Sequence, residues 1–348
     1  MELYGQNKMK VLLTGATGFI GGNIARKLCE NGFETKVLVR ENSNTLNIEK
    51  LPVIISYGDL CDKNSLQKAL KGCNGLFHTA AKYSFWAKNP ESFYKVNVEG
   101  TKNIINAAIE AGVEKIVYTS SESTIKLPEK NESSSKSNNN NQKINHYETN
   151  DINCVAGDYK KSKILAELEV LKMIEKKWPV IIINPTTPIG PGDVKPTPTG
   201  KIILDYLNRK MPAYVNTGLN IVDVEDVAIG HLLAFQKAKI GKRYIIGNKN
   251  LTLKQIFEIL ENITKIKAPK IEIPLWIAKS LGYIDEFFSG KVLKKYPRIP
   301  VAAVKTAYKY RFFDCTKDIE ELGIDLTPVE ISFEKAIKWF KDNRYVKN

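Results

Sequence analysis

Arginine is scarce in this chain: seven of its 52 basic residues are arginine and the rest are lysine. Nucleic-acid and phosphate binders favour the rigid, bidentate fork of arginine, and here the basic residues are spread along the chain. The net charge of +14 therefore reads as compositional bias and solvated faces, and no nucleic-acid partner is expected. Histidine is scarcer still. His78, His146 and His231 lie far apart in sequence, which argues against a metal site. The five cysteines (Cys29, Cys61, Cys73, Cys154 and Cys315) are odd in number, scattered and without a CxxC. That speaks against a disulfide framework and for a reducing, cytoplasmic location. No apolar run approaches the roughly 20 residues of a transmembrane helix. The opening MELYGQNKMK runs straight into an apolar strand with no signal-peptide layout.

What is present, 348 residues with 43% hydrophobic, suffices for one large α/β core with an appended lobe or for two modest domains. The first half alternates strands (10–14, 35–40, 53–57, 75–81, 113–121) with helices (19–31, 63–71, 90–112). That alternation implies βαβ units and a parallel sheet. Residues 128–151 are polar, rich in Ser and Asn, and hold four consecutive asparagines. They cannot bury a core and read as a flexible loop. A helix at 158–177 and a strand at 180–184 follow. After Pro185, prolines and glycines cluster and helices dominate, at 200–209, 224–239, 252–265, 275–288 and 332–343. Short strands at 221–224 and 243–246 are expected to return to the first sheet. The fold class expected is α/β: a Rossmann-type doubly wound parallel sheet over 1–186 and a smaller, mostly helical C-terminal substrate lobe over 187–348, with about 220–247 rejoining the sheet.

Between the first strand and first helix stands TGATGFIGG, with glycines at 15, 18 and 21. Gly15 suits the tight turn, Gly18 lets backbone approach a pyrophosphate, and Gly21 lets helix pack on strand. Thr17, Phe19 and Ile20 complete the cradle, and the helix N-terminus offers unpaired N–H groups to the anion. At the end of the second strand, Arg40 suits a 2′-phosphate and favours NADP(H). Glu41 beside it keeps NAD(H) open, because a carboxylate there meets a ribose 2′-hydroxyl. Asp59 and Leu60, after the third strand, stand at the adenine end, with a helix N-cap as the alternative role for Asp59.

Tyr159 and Lys163 share a helix face in DYKKSK. The spacing is not distinctive, since Tyr4/Lys8 and Tyr206/Lys210 match it too. Position singles out the middle pair: it follows a parallel strand ending in Thr119-Ser120-Ser121. A free tyrosine, with a pKa of about 10, is only roughly 0.1% phenolate at pH 7. A nearby ammonium stabilises the anion, so Lys163 can activate Tyr159 as a proton donor and acceptor while a serine hydroxyl meets the developing oxyanion.

TGATGFIG, Asp59, HTAA at 78–81, YTSS and YKKSK together resemble the extended short-chain dehydrogenase/reductase family, of the NAD-dependent epimerase/dehydratase type. Longer stretches (75–103, 184–200 and 216–234) are similar to the hopanoid-associated sugar epimerase group, which is itself similar to dihydroflavonol 4-reductases. The resemblance covers essentially the whole chain. It implies catalytic roles for Tyr159, Lys163 and Ser121, with Ser120 and Ser123 as neighbouring registers for the serine. It implies a structural or relay role for Asn97, cofactor contacts at Ala80, Ala81, Tyr159 and Lys163, and Pro185 beside the nicotinamide. Two departures stand out. The segment between Ser121 and Tyr159 is long and polar, and Glu122-Ser123 replaces the acidic pair of the family's sugar 4,6-dehydratases.

Three functions remain. One is a reductase or dehydrogenase on a secondary alcohol or ketone. Another is a sugar epimerase passing through a keto intermediate. The third, disfavoured by the intact Ser121/Tyr159/Lys163 set, is a non-catalytic dinucleotide-binding module. Arg40 tips the reading to the reductase. The expected partner is a small molecule, sugar-like or a polycyclic hydroxy/keto compound, and a homodimer is left open. Tyr83, Phe85 and Trp86 read as a substrate lid or as helix-packing core. Lys195, Thr197 and Thr199 meet a phosphate or sugar or lie in a solvated turn. The helix at 275–288 is apolar around much of its circumference, so burial in the lobe is the default; a pocket cover, a dimer face or a membrane rest are the alternatives.

Overall fold

The computed structural model describes residues 8–127 and 148–347. Its first half runs β1 (Lys10–Thr14), α1 (Phe19–Glu30), β2 (Glu34–Val39), β3 (Ile54–Tyr57), α2 (Lys63–Leu70), β4 (Gly75–His78), α3 (Glu91–Tyr94), α4 (Gly100–Glu110), β5 (Lys115–Thr119), α5 (Asp158–Glu175) and β6 (Val180–Pro185). It continues through β7 (Thr187–Ile189), α6 (Pro198–Leu207), β8 (Ala213–Val215), β9 (Gly218–Asp223), α7 (Val224–Lys237) and β10 (Arg243–Ile246). The remainder is β11 (Lys249–Thr252), α8 (Leu253–Thr264), β12 (Ile271–Ile273), α9 (Leu275–Asp285), α10 (Val301–Ala307), α11 (Thr316–Leu322) and α12 (Val329–Asp342).

Seven parallel strands form one sheet in the order β10-β6-β5-β4-β1-β2-β3. Its central strands are apolar on both faces, as a sheet covered by helices on each side requires. Val11, Leu13, Val117 and Ile183 meet α1 and α7 on one face. Leu12, Leu76, Ile116 and Ile182 meet α2, α4 and α5 on the other. The strand order reverses between β1 and β4, and it is at the carboxyl ends of such a switch point that Rossmann-type sheets bind dinucleotides. A third core, built on α6, α8 and α12, holds the helical C-terminal lobe.

Three expectations need correction. The strand expected at 221–224 does not join the large sheet. It lies in β9, paired with β7 and β11 in a separate three-stranded sheet. The edge of β6 is already taken by β10, which does return as expected. The helix expected at 90–112 is continuous but contains a wide turn at Lys95–Glu99 between α3 and α4; such a turn is invisible to a 3.6-residue pattern. Burial is not the fate of the 275–288 helix. Only Ala278 and Gly282 of α9 are buried, while Trp276 and Ile284 are exposed. Small residues let this helix sit close to its neighbours on one side, and its large ones point out. The flexible loop expected at 128–151 falls mostly outside the described residues; at its ends Ile125 bridges Thr149.

Candidate functional site

The glycine turn is built for close approach. Gly15 sits at φ +78°, and a Cβ there would lie 2.7 Å from the Ala80 nitrogen. Gly18 caps α1 with extended backbone, no side chain caps the helix, and its first turn holds no acid. The Gly18 N–H turns back to the Gly15 carbonyl at 2.9 Å, so the Phe19 and Ile20 N–H groups stand open at the positive end of the helix dipole. Thr17 is half-buried beside them. These residues fit a dinucleotide pyrophosphate.

Two asparagines missed in the sequence brace the turn. Asn47 Nδ2 donates to the Gly18 carbonyl (3.1 Å) and the Gly192 carbonyl (2.9 Å). Asn23 Nδ2 donates to the carbonyls of Phe19 and Pro191, both at 3.0 Å. Asn47 lies in an ordinary polar stretch, and nothing local distinguishes it.

Arg40 follows β2 directly, exposed at the sheet's carboxyl end, with Glu41 beside it and equally exposed. Asp59 is exposed and its Oδ1 accepts the Cys61 N–H at 2.9 Å, whereas the cap of α2 is Asp62. Leu60 is buried against Gly100. The Ala80 N–H reaches Thr14 Oγ1 at 3.3 Å, and Ala81 is exposed next to it. Pro185 is buried at the end of β6. The neighbouring Thr186 Oγ1 is buried without a hydrogen-bond partner among the described residues, a polar atom that a bound ligand can satisfy. His78 bridges Thr14 Oγ1 (2.7 Å) and Thr101 Oγ1 (3.0 Å). Burial, and then the charge of Lys163, push its pKa down to about 3, so it is a neutral structural link.

Tyr159 lies in the first turn of α5 and Lys163 one turn later. The Lys163 ammonium is buried and donates to the Thr119 carbonyl (2.8 Å) and to Tyr118 Oη (3.2 Å). Burial lowers its pKa to about 8, against the opposing pull of Glu167. Ser121, just beyond β5, accepts hydrogen bonds from the Ser123 N–H (3.2 Å) and Ser123 Oγ (2.9 Å). Burial raises the Tyr159 pKa, and the nearby Ser121 hydroxyl pulls it the other way. Of the three serine registers, Ser121 is the one brought to Tyr159. The backbone N–H of Ser120 bonds the Ile183 carbonyl, and Ser123 supports Ser121. Asn97 sits in the wide turn, buried. Its amide takes the Lys82 N–H at 2.7 Å and donates to Ser162 Oγ at 2.9 Å, fastening the segment after β4 to α5.

Long-range partners fix this geometry. Arg311 pairs with Glu122, the residue after Ser121, and its guanidinium Nε lies 2.6 Å from the carboxylate. Lys160 is buried nearby and its pKa falls to about 8 through desolvation. Glu167 pairs with Arg243 and also accepts from Thr124 (2.8 Å) and Asn184 (2.9 Å), so one carboxylate joins α5, β6, β10 and the turn after Ser121. On the open side, the Tyr83 ring lies 4.6 Å from that of Tyr159. Trp86 meets Tyr296 edge-on at 6.1 Å. Lys195 is exposed. Thr197 caps α6 and binds Asp193, which occupies its hydroxyl. Among the described residues no cluster of His, Cys, Asp and Glu could hold a metal.

The sequence pattern of the NAD dependent epimerase/dehydratase family matches residues 11–247. A putative dihydroflavonol 4-reductase of Synechocystis sp. is 41% identical over 339 residues, covering 96% of this chain and 95% of the relative. Sterol demethylase protein B of Methylococcus capsulatus is 29% identical over 335 residues, covering 96% and 99%. The crystal structure of gox2253 superposes with a TM-score of 0.83 at 40% identity, over 98% of this chain and 100% of that one.

Proposed function

Starting from the fact that the chain belongs to the NAD dependent epimerase/dehydratase family and is an NAD(P)-dependent enzyme, we propose that it interconverts a secondary alcohol and a ketone, acting as a reductase with NADP(H). The observation that carries this reading is the buried Lys163 ammonium, fixed on the Thr119 carbonyl one helix turn from Tyr159, with Ser121 close to the phenol. When bound, the dinucleotide supplies or accepts the hydride. Tyr159 gives the proton to the carbonyl oxygen in reduction and takes it back in oxidation. Ser121 donates to the oxygen as charge develops on it. Lys163, a cation held in a desolvated place, stabilises the phenolate left behind.

Gly15, Thr17, Gly18, Phe19 and Ile20 bind the pyrophosphate in this reading. Asp59 and Leu60 border the adenine end, Ala80 and Ala81 line the dinucleotide, and Pro185 flanks the nicotinamide. Arg40 supports a 2′-phosphate and so NADP(H). The half-exposed aromatic segment at 83–86 and the names of the two relatives support a polycyclic hydroxy/keto substrate. The compartment we propose is the cytoplasm. Glu41, exposed beside Arg40, favours a second reading, an epimerase holding NAD and acting on a sugar.

Denaturing the purified protein and identifying any released dinucleotide tests the choice. The proposal expects no stoichiometric release and binding of NADPH about ten-fold or more tighter than NADH. Stoichiometric NAD would overturn it in favour of the epimerase.

A further inference from the structure

Ten of the 21 exposed large apolar side chains among the described residues fall between Trp276 and Ile299. They are ordered on one side. Trp276, Tyr283, Ile284 and Phe287 recur at the spacing of one helical face, and Phe288 and Leu293 extend the patch through the wide turn Glu286–Val292 and the residue after it. The opposite side is spoken for. Ala278 and Gly282 are buried, and both acids of the segment are partly buried and hydrogen-bonded. Asp285 accepts from Ser289 Oγ and from the Ile299 N–H, each at 2.7 Å, and Glu286 accepts from the Val301 N–H at 2.9 Å. Among the segment's described side chains the exposed charges are cationic: Lys294, Lys295 and Arg298, the last beside the Asp285 carboxylate.

A contiguous apolar patch with a basic fringe and no exposed acid matches the layout of a helix lying in a membrane interface. We propose that residues 275–299 dock the enzyme on an anionic lipid surface, with the aromatic side chains entering the headgroup and acyl boundary and the three cations meeting lipid phosphates. A second copy of the chain fits poorly, because a symmetric face-to-face pairing would bring Lys294 and Lys295 of each copy together, while Asp285 is engaged by Arg298, Ser289 and the Ile299 N–H of its own chain. No helix among the described residues is long and apolar enough to cross a bilayer, so the contact is interfacial. The patch also reaches the site. Tyr296 touches Trp86, and Tyr83 of the same segment touches Tyr159. If the proposed reduction is right, an apolar ketone dissolved in lipid has an aromatic path to the phenol.

The test is flotation of the full chain with vesicles of phosphatidylcholine containing phosphatidylglycerol, and with vesicles of phosphatidylcholine alone. The expected result is binding to the anionic vesicles that weakens about five-fold or more without the anionic lipid or at high salt. Phe287→Ser combined with Phe288→Ser should reduce binding about 100-fold, while Ile331→Ser, at an exposed apolar position on α12, leaves it unchanged. Retained NADPH binding shows that the variants are folded. Absence of vesicle binding by the parent overturns the proposal, and so does a parent dimer that the double variant dissociates. Vesicle binding does not depend on turnover, so this result stands apart from the test of the reductase reading.

Discussion

The Lys163 ammonium donates to the Thr119 carbonyl at 2.8 Å, which ties the second turn of α5 to the carboxyl end of β5. This bond holds a cation within the protein where solvent cannot screen it, and it sets the distance between the helix that carries Tyr159 and the strand that leads to Ser121.

Burial lowers the Lys163 pKa to about 8, and an unfolded lysine titrates near 10.4. Between those values the unfolded chain binds the proton and the folded one does not, so stability rises with pH across that window and the cost of the charge is complete below it. Lys160 contributes a similar slope. Lys163→Met should remove one of the two. Denaturant unfolding from pH 7.5 to 10.5 should show the parent gaining about 3 kcal/mol relative to the variant, and the variant should lose about 100-fold or more in turnover. Parallel stability curves would refute the assignment of a desolvated charge.

Arg243 and Glu167 form a buried pair, whereas Lys249 and Glu330 form an exposed one. Removing one member of the buried pair leaves an uncompensated charge. Arg243→Met should cost about 3–5 kcal/mol, and Lys249→Ala less than about 1 kcal/mol. Thermal and denaturant unfolding of both variants check the contrast, and equal losses would contradict it.

The parts of the site legible in the sequence are those whose chemistry forces short spacing. A pyrophosphate turn needs glycine at 15 and 18 within a few residues of each other, and a proton pair on one helix face needs Tyr159 and Lys163 four apart. Glu122 and Arg311 are 189 residues apart, and Glu167 and Arg243 are 76 apart; no local pattern announces either pair. Asn47 looks like any loop asparagine until the Gly192 carbonyl is beside it. The strand β9 forms as expected but in another sheet, because a short apolar run pairs with whatever edge is free and β10 takes the edge of β6. The helix at 275–288 forms as expected but is not buried, because apolar content alone does not say which side packs. The wide turn at Lys95–Glu99 changes hydrogen bonding without changing hydropathy.

Tyr159 is the residue on which the chemistry proposed here turns. NADPH oxidation with the ketone that the parent reduces fastest, set beside NADPH binding, should be compared for the parent and Tyr159→Phe. The phenylalanine keeps the ring against Tyr83 and loses the hydroxyl. Turnover should fall by about 100-fold or more with NADPH affinity within about three-fold of the parent. Near-parental turnover in the variant would contradict the assignment of Tyr159 as the proton donor.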